Sequence, residues 1–265
     1  MTGGFAPDWP APPNVRAWVT ERDGGTSAAA YSTFNLAAHV GDEPSAVAAN
    51  RARLRAALGL PGEPAWLTQV HGRRVLDLDT EGPGEVADGA VTGSAGVVCA
   101  VLTADCLPVL LASADGGRVG VAHAGWRGLA SGVLPAAVAA IGGDPRGVVA
   151  WLGPAISAAA YEVGDEVRAA FTATDHEAAA CFHRNARGRW QADLYALARL
   201  SLSSAGVVRI GGGDFCTFGE PERFFSHRRE APCGRMATLI WRDGQKRGRV
   251  LFSTTAARLH DHRRK

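Results

Sequence analysis

Three residues carry the densest chemistry in this chain: His71 in TQVHG, Cys106 in LTADCLP and His123 in VAHAGWRG. Two imidazoles and a thiolate suit zinc, and three protein ligands leave a fourth position open. That open position separates a catalytic zinc from a structural one. Taken singly, each residue also has a plainer reading. A histidine beside glycine is commonly a turn residue, and a cysteine in an apolar run is commonly core, as Cys99 is read here. Cys106 differs because it follows Asp105 and precedes Pro108 at the end of such a run. His123 closes an apolar run just before a Gly-Trp-Arg-Gly helix entry. His39, His176, His183, His260 and His262 read as solvated.

The trio needs elements that bring it together. GVVCAVLTAD and LPVLLAS are nearly continuous apolar runs, which predicts strands covered on both faces. DGG at 115–117 is a hairpin signal, and RVGVAHAG is the returning strand. Pairing about that turn sets His123 opposite residues 109–110, which leaves Cys106 ~10–13 Å further along the strand at ~3.3 Å per residue. A shared metal then requires Asp105–Pro108 to bend or bulge inward. Pro108, which cannot donate to a central ladder, is the expected cause. His71 must arrive from a distant strand end.

Elsewhere, VRAWVTER alternates as a strand, PAWLTQVHG and RVLDLD read as short strands, and STFNLAAHVGD reads as a structured loop. Apolar spacing over 43–60 predicts a helix with Pro44 in its first turn. Gly128 to Ile141, DEVRAAFTA and ADLYALARLSLSSAG read as helices, the last stopped by Gly206. VVAWLGPAI is another buried strand. FCTF, FFSHRRE and RMATLIWRD read as closing strands and loops. GGGD at 211–214 lacks the strand–loop–helix setting of a phosphate cradle and reads as a turn. With no repeat, linker or composition break, one α+β domain of layered helices and mixed strands over 1–265 is expected, with a Pro- and Gly-rich lead-in at 1–14 and a basic tail at 246–265.

At 265 residues, 46% hydrophobic and 20% charged, the chain can build a substantial core. A net charge of +2, with no basic stripe interleaved with aromatics, argues against a nucleic-acid partner. No apolar run reaches the ~18 residues of a membrane span, and the first residues do not read as a secretory leader. Five cysteines without a disulfide framework suit the reducing cytoplasm. A monomer is expected.

The segments STFNLAAHVGDEPSAVAANRARL, TQVHG, ADGAVT, LTADCLPVLLA, GRVGVAHAGWRGLASGVL, WLGPAISAAAYEVGDEV, DL and FFSHRRE–GRMATLIW follow in that order over residues 15–242. This series resembles the YfiH-type laccase-domain family, bacterial proteins once labelled polyphenol oxidases and later assigned as zinc-dependent purine nucleoside phosphorylases with adenosine deaminase activity. The resemblance implies an α/β/β/α sandwich and zinc held by His71, Cys106 and His123. It also implies phosphorolysis of adenosine, inosine and methylthioadenosine, so the expected partners are purine nucleosides and phosphate. That reaction builds positive charge on the ribose and negative charge on the departing purine, and needs an anion site beside a polarising group. An open zinc position lowers the pKa of bound water to ~7, which would account for deamination at the same site. Arg51, Arg127 and Arg228 are candidates to grip phosphate through paired guanidinium donors, with Arg51 foremost. Asn35 and Gln69 are candidates for ribose or base, and Asp105 for orienting a ligand.

Other classes remain open at this point. A thiol hydrolase would use Cys106 as nucleophile and His123 as base. An amidase that edits peptidoglycan precursors would also be a hydrolase. A copper phenol oxidase needs many His-x-His pairs, and this chain has one, His260–Asp261–His262. Copper can still occupy a Cys/His site in vitro.

Overall fold

Leu107–Ser113 shows how the sequence builds the layers. Its apolar residues point alternately to two different cores, because successive strand side chains face opposite ways. Val109 and Leu111 join one cluster, and Leu110 and Ala112 the other. Each fully buried leucine of this kind contributes ~2 kcal/mol of transfer free energy.

The computed structural model describes residues 3–244. The basic tail at 246–265, with His260 and His262, lies outside the described residues. In chain order, the strands are β1 (Gly4–Phe5), β2 (Val15–Thr20), β3 (Val75–Asp77), β4 (Gly89–Thr92), β5 (Val98–Thr103), β6 (Leu107–Ser113) and β7 (Val119–Ala124). They continue as β8 (Val148–Leu152), β9 (Glu162–Val163), β10 (Phe182–Arg184), β11 (Trp190–Ala192), β12 (Arg209–Gly212) and β13 (Met236–Arg242). The helices are α1 (Pro44–Leu58), α2 (Trp126–Ser131), α3 (Val133–Ile141), α4 (Asp165–Thr172), α5 (Leu194–Ser204) and α6 (His227–Glu230).

A mixed sheet runs β12-β8-β6-β7-β4-β3, and a second runs β1-β2-β13-β5. Val19, Val101, Leu110, Val121, Trp151 and Ile240 fill the space between them. The outer face of the larger sheet packs on α3 and α5 through Leu134, Val138, Ile141, Leu197 and Ala198. The outer face of the smaller sheet packs Ala100, Leu102, Ala237 and Leu239 against Leu54 of α1. The order is therefore helix, sheet, sheet, helix, as the resemblance implied. A small sheet, β10-β11-β9, stands apart from both.

Three expectations are corrected. PAWLTQVHG is not a strand: it makes single bridges, Ala65 to Cys99 and Thr68 to Val86, and is otherwise irregular. The helix expected from Gly128 to Ile141 is two helices, α2 and α3, broken where Gly132 takes φ 91°. Within FFSHRRE the chain forms the short helix α6, capped by the Ser226 side chain, which accepts from the Arg229 N–H.

Candidate metal centre and adjoining cavity

His71 lies on an irregular loop with φ 60°, in the left-handed region that non-glycine residues rarely adopt. Asp88 holds the loop there. Its fully buried carboxylate accepts from the backbone N–H groups of Val70 at 3.2 Å, His71 at 2.8 Å and Gly72 at 2.6 Å. The same carboxylate meets His123 Nδ1 at 2.8 Å, while the Asp88 carbonyl accepts from the His123 N–H at 2.6 Å. One acidic side chain thus fixes the loop bearing one histidine and the ring of another. Burial opposes its charge, but the donors from His123, Gly72 and Val70 hold the carboxyl below its ordinary range. With Nδ1–H directed at a carboxylate, His123 keeps Nε2 free as a ligand.

Cys106 stands just before β6. Pro108 pairs with His123, so Cys106 is two residues from the histidine's partner, closer than the turn-counted register gave. The bend falls at Asp105, which takes φ 84°; Pro108 lies inside the regular strand, its carbonyl accepting from the Gly153 N–H at 2.9 Å. The turn brings Cys106 Sγ to 3.8 Å from His71 Nε2. The ligand atoms of His71, Cys106 and His123 all lie within 4.8 Å of one another. Gly125 keeps the space between them clear: a Cβ there would lie 2.9 Å from Cys106 Sγ and 3.0 Å from His71 Cδ2.

The charges support one another. Burial pushes the Cys106 thiol up, but the charge and hydrogen bonds of His123, with those of His71, outweigh it and bring the thiol down to about 6. Burial also opposes charge on His123, yet the Cys106 thiolate and the Asp88 carboxylate raise it to about 9. Around neutrality the pair is thiolate and imidazolium. Two imidazoles and a thiolate this close form a donor set that fits a metal ion.

A cavity of about 290 Å³ opens beside the trio. His71, Cys106, Trp126, Tyr161, Arg127 and Arg228 are among its lining residues. Arg127 stacks on the Trp126 ring at 4.3 Å, and Arg228 lies over Tyr161 at 5.3 Å. Stacking occupies the guanidinium face and leaves edge N–H groups for an acceptor.

The family model described as multi-copper polyphenol oxidoreductase laccase matches residues 16–243. The chain belongs to this laccase-domain family. It is 50% identical over 242 residues to the Escherichia coli protein named purine nucleoside phosphorylase YfiH, covering 91% of this chain and 99% of that one. The Pseudomonas aeruginosa purine nucleoside phosphorylase PA4543 is 49% identical over 244 residues, with the same coverage. Among solved structures, Neisseria meningitidis NMB0706 superposes with TM-score 0.88 at 48% identity, covering 91% of this chain and 100% of that one. YlmD from Geobacillus stearothermophilus gives TM-score 0.84 at 31% identity, covering 92% and 99%. Among the described residues, one cluster of three or more metal-ligating side chains occurs, and it is the trio.

The other expected site residues of this laccase-domain chain divide. Arg127 and Arg228, two of the candidates for gripping phosphate, line the cavity. Asn35 is fully buried and saturated: its amide donates to Ala37 O and Asp42 and accepts from the Ala37 and Arg235 N–H groups. Gln69 exchanges two hydrogen bonds with the Leu102 backbone, at 2.9 and 2.7 Å, and so splices the His71 loop to β5. Neither amide lines the cavity. Arg51 donates to Leu36 O, stacks on Trp66 at 4.2 Å and lines a different hollow along α1. The Asp105 carboxylate accepts from Thr217 Oγ1 and the Arg228 N–H rather than meeting an imidazole, so it braces the bend before Cys106 and the start of α6. The carboxylate on the imidazole is Asp88, which the sequence reading missed although it stands in ADGAVT. Trp126, Tyr161 and His227 were also missed as cavity residues.

Proposed function

We propose that this chain is a zinc-dependent purine nucleoside phosphorylase that cleaves adenosine, inosine and methylthioadenosine with phosphate and also deaminates adenosine. The observation that carries this reading is the placement of His71 and Cys106 in the wall of a cavity that also presents Arg127 and Arg228. Relatives about half identical to it are named purine nucleoside phosphorylases, which supports the phosphorylase part of the reading. Five free thiols fit work in the reducing cytoplasm.

His71, Cys106 and His123 would hold the zinc, which supplies Lewis acidity at its open position. The remaining work falls to the protein. Asp88 keeps the His123 ring and the His71 loop in place. Trp126 and Tyr161 offer aromatic faces to the flat purine. Arg127 and Arg228 hold phosphate by paired N–H donors. Burial keeps the Tyr161 phenol well above its ordinary range, so it stays neutral and can donate a hydrogen bond to the bound nucleoside. Phosphate oxygen bonds to ribose C1′ as the C–N bond breaks, and that electron pair leaves with the purine, which takes up a proton. The guanidiniums orient the incoming anion against the developing positive charge on the sugar.

Arg127→Gln and Arg228→Gln test the assignment of roles. Each should raise the KM for phosphate by about tenfold, the loss of one charge-assisted hydrogen bond, with the KM for inosine little changed. An unchanged phosphate KM in both variants would remove the arginines from that role.

One observation favours a second reading. A thiol held down to about 6 beside a histidine is also what a nucleophilic cysteine needs. A thiol hydrolase would keep its activity in chelator, whereas the proposed phosphorylase would lose it.

A further inference from the structure

The cavity beside the trio does not end at Arg127 and Arg228. A second chamber of about 300 Å³ adjoins it, and the two share Trp126, Arg127, Tyr161 and Arg228 as common wall. The outer chamber adds Arg189, Glu162 and Glu166. Three guanidiniums therefore face it from three separate segments: the first turn of α2, the turn before β11, and α6. Among the described ion pairs, none of these arginines has a carboxylate partner. The one side-chain hydrogen bond of Arg228 there goes to the uncharged Glu162 carbonyl, at 2.8 Å. Two carboxylates share the chamber with them. Glu162 is bound by Arg187 and by Asn185, and its charge also attracts Arg189. Glu166 folds back over Gly164, where it sits at the entry to its own helix α4. Three guanidiniums against two carboxylates, one of them already paired with Arg187, leave the chamber a net positive charge; it is larger than one phosphate ion and opens into a room lined by Trp126, Tyr161, His71 and Cys106.

We infer that the outer chamber is a subsite for a phosphate monoester, and that the two chambers together take a purine nucleoside 5′-monophosphate, base toward the trio and phosphate among Arg127, Arg189 and Arg228. The ligand class follows from the two rooms. A flat group is wanted at Trp126 and Tyr161, and a dianion with several acceptor oxygens among three edge-presenting guanidiniums. This assignment rests on the proposed placement of the nucleoside, but not on the chemistry performed there. Such a nucleotide would compete with both nucleoside and inorganic phosphate, because it covers the ground of each.

The test is direct binding to the full-length, zinc-loaded chain by titration calorimetry, with adenosine and with adenosine 5′-monophosphate. The monophosphate should bind about tenfold or more tighter than adenosine, the equivalent of one charge-assisted hydrogen-bond pair. Inorganic phosphate should weaken monophosphate binding and leave adenosine binding alone. Arg189→Gln should abolish most of the advantage of the monophosphate while adenosine affinity stays unchanged. Circular dichroism and zinc content check that the variant folds, and Arg189→Lys serves as a second variant, retaining charge but losing the paired donors. Equal affinity for the two ligands would overturn the proposal. So would an advantage that survives in both Arg189 variants. Binding separates this outcome from the activity reading: a chain that releases no base from inosine and phosphate can still prefer the monophosphate, and the converse would strike the outer subsite alone.

Discussion

At the residue scale, the decisive feature is the sharing of protons among Cys106, His123 and Asp88. A metal ligand must be deprotonated. With the thiol at about 6 and His123 at about 9, the metal-free site near pH 7.5 already has its thiolate but still holds an imidazolium proton. Zinc uptake should therefore release about one proton, from His123. The release should fall toward zero as pH rises through about 9, where His123 is already neutral, and grow as pH falls through about 6, where the thiol is also protonated. Calorimetry in buffers of different ionisation enthalpy reads this number, and proton-neutral zinc binding near pH 7.5 would contradict it. Asp88 gives a second prediction. Asp88→Ala strands three loop N–H groups and the His123 Nδ1–H in a buried place. It should cost ~3 kcal/mol of stability and weaken zinc binding ~10–100-fold. Denaturant unfolding and competition with a chromophoric chelator measure the two effects, and unchanged zinc affinity would mean that Asp88 does not position the ligands.

At the element scale, glycines decide where chain segments may approach and turn. Gly125 has φ −68°, so its backbone accepts any residue, but the space at its Cα does not. Gly125→Ala should leave the fold intact and lower zinc affinity about tenfold or more, by forcing Cys106 and His71 apart. Metal analysis against circular dichroism separates the two. Gly132 is the opposite case: nothing stands within 4 Å of an added Cβ, but φ is 91°. Gly132→Ala should cost ~1–2 kcal/mol of stability through backbone strain and leave zinc binding unchanged. The same scale shows what was legible in the sequence. The buried strands, the hairpin and most helices follow from periodicity and turn residues. The break at Gly132 was hidden because apolar spacing continues across it. The departure before β6 was expected, but it was assigned to Pro108. In the structure Asp105 makes the turn, because its carboxylate finds Thr217 and the Arg228 N–H, partners more than a hundred residues away in the chain.

At the scale of the whole molecule, the two sheets gather loop and strand ends from residues 71, 88, 106 and 123 at one place. Taken singly, His71, Cys106 and His123 could each be turn or core residues; the ordered family motifs joined them as one set, and their ligand atoms do lie within 4.8 Å of one another. Asp88 was not legible, because its role depends on a contact 35 positions away. Asn35 and Gln69 misled for a related reason. Polar side chains beside a motif can serve ligand or backbone equally well by type, and here buried backbone groups claimed both. Arg51 lies beyond the cavity because α1 covers the outer face of the smaller sheet, and Trp66 and Leu36 claim its guanidinium. Among the described residues no helix is long and apolar enough to cross a membrane. Phosphorolysis is tested most simply with the zinc-loaded chain and inosine, with and without phosphate, followed by chromatography of the purine. Hypoxanthine release should require both phosphate and zinc, and should be lost with the metal in His71→Ala and Cys106→Ala. No phosphate-dependent release from fully zinc-loaded protein, or release undiminished after the zinc is removed, would contradict zinc-dependent phosphorolysis.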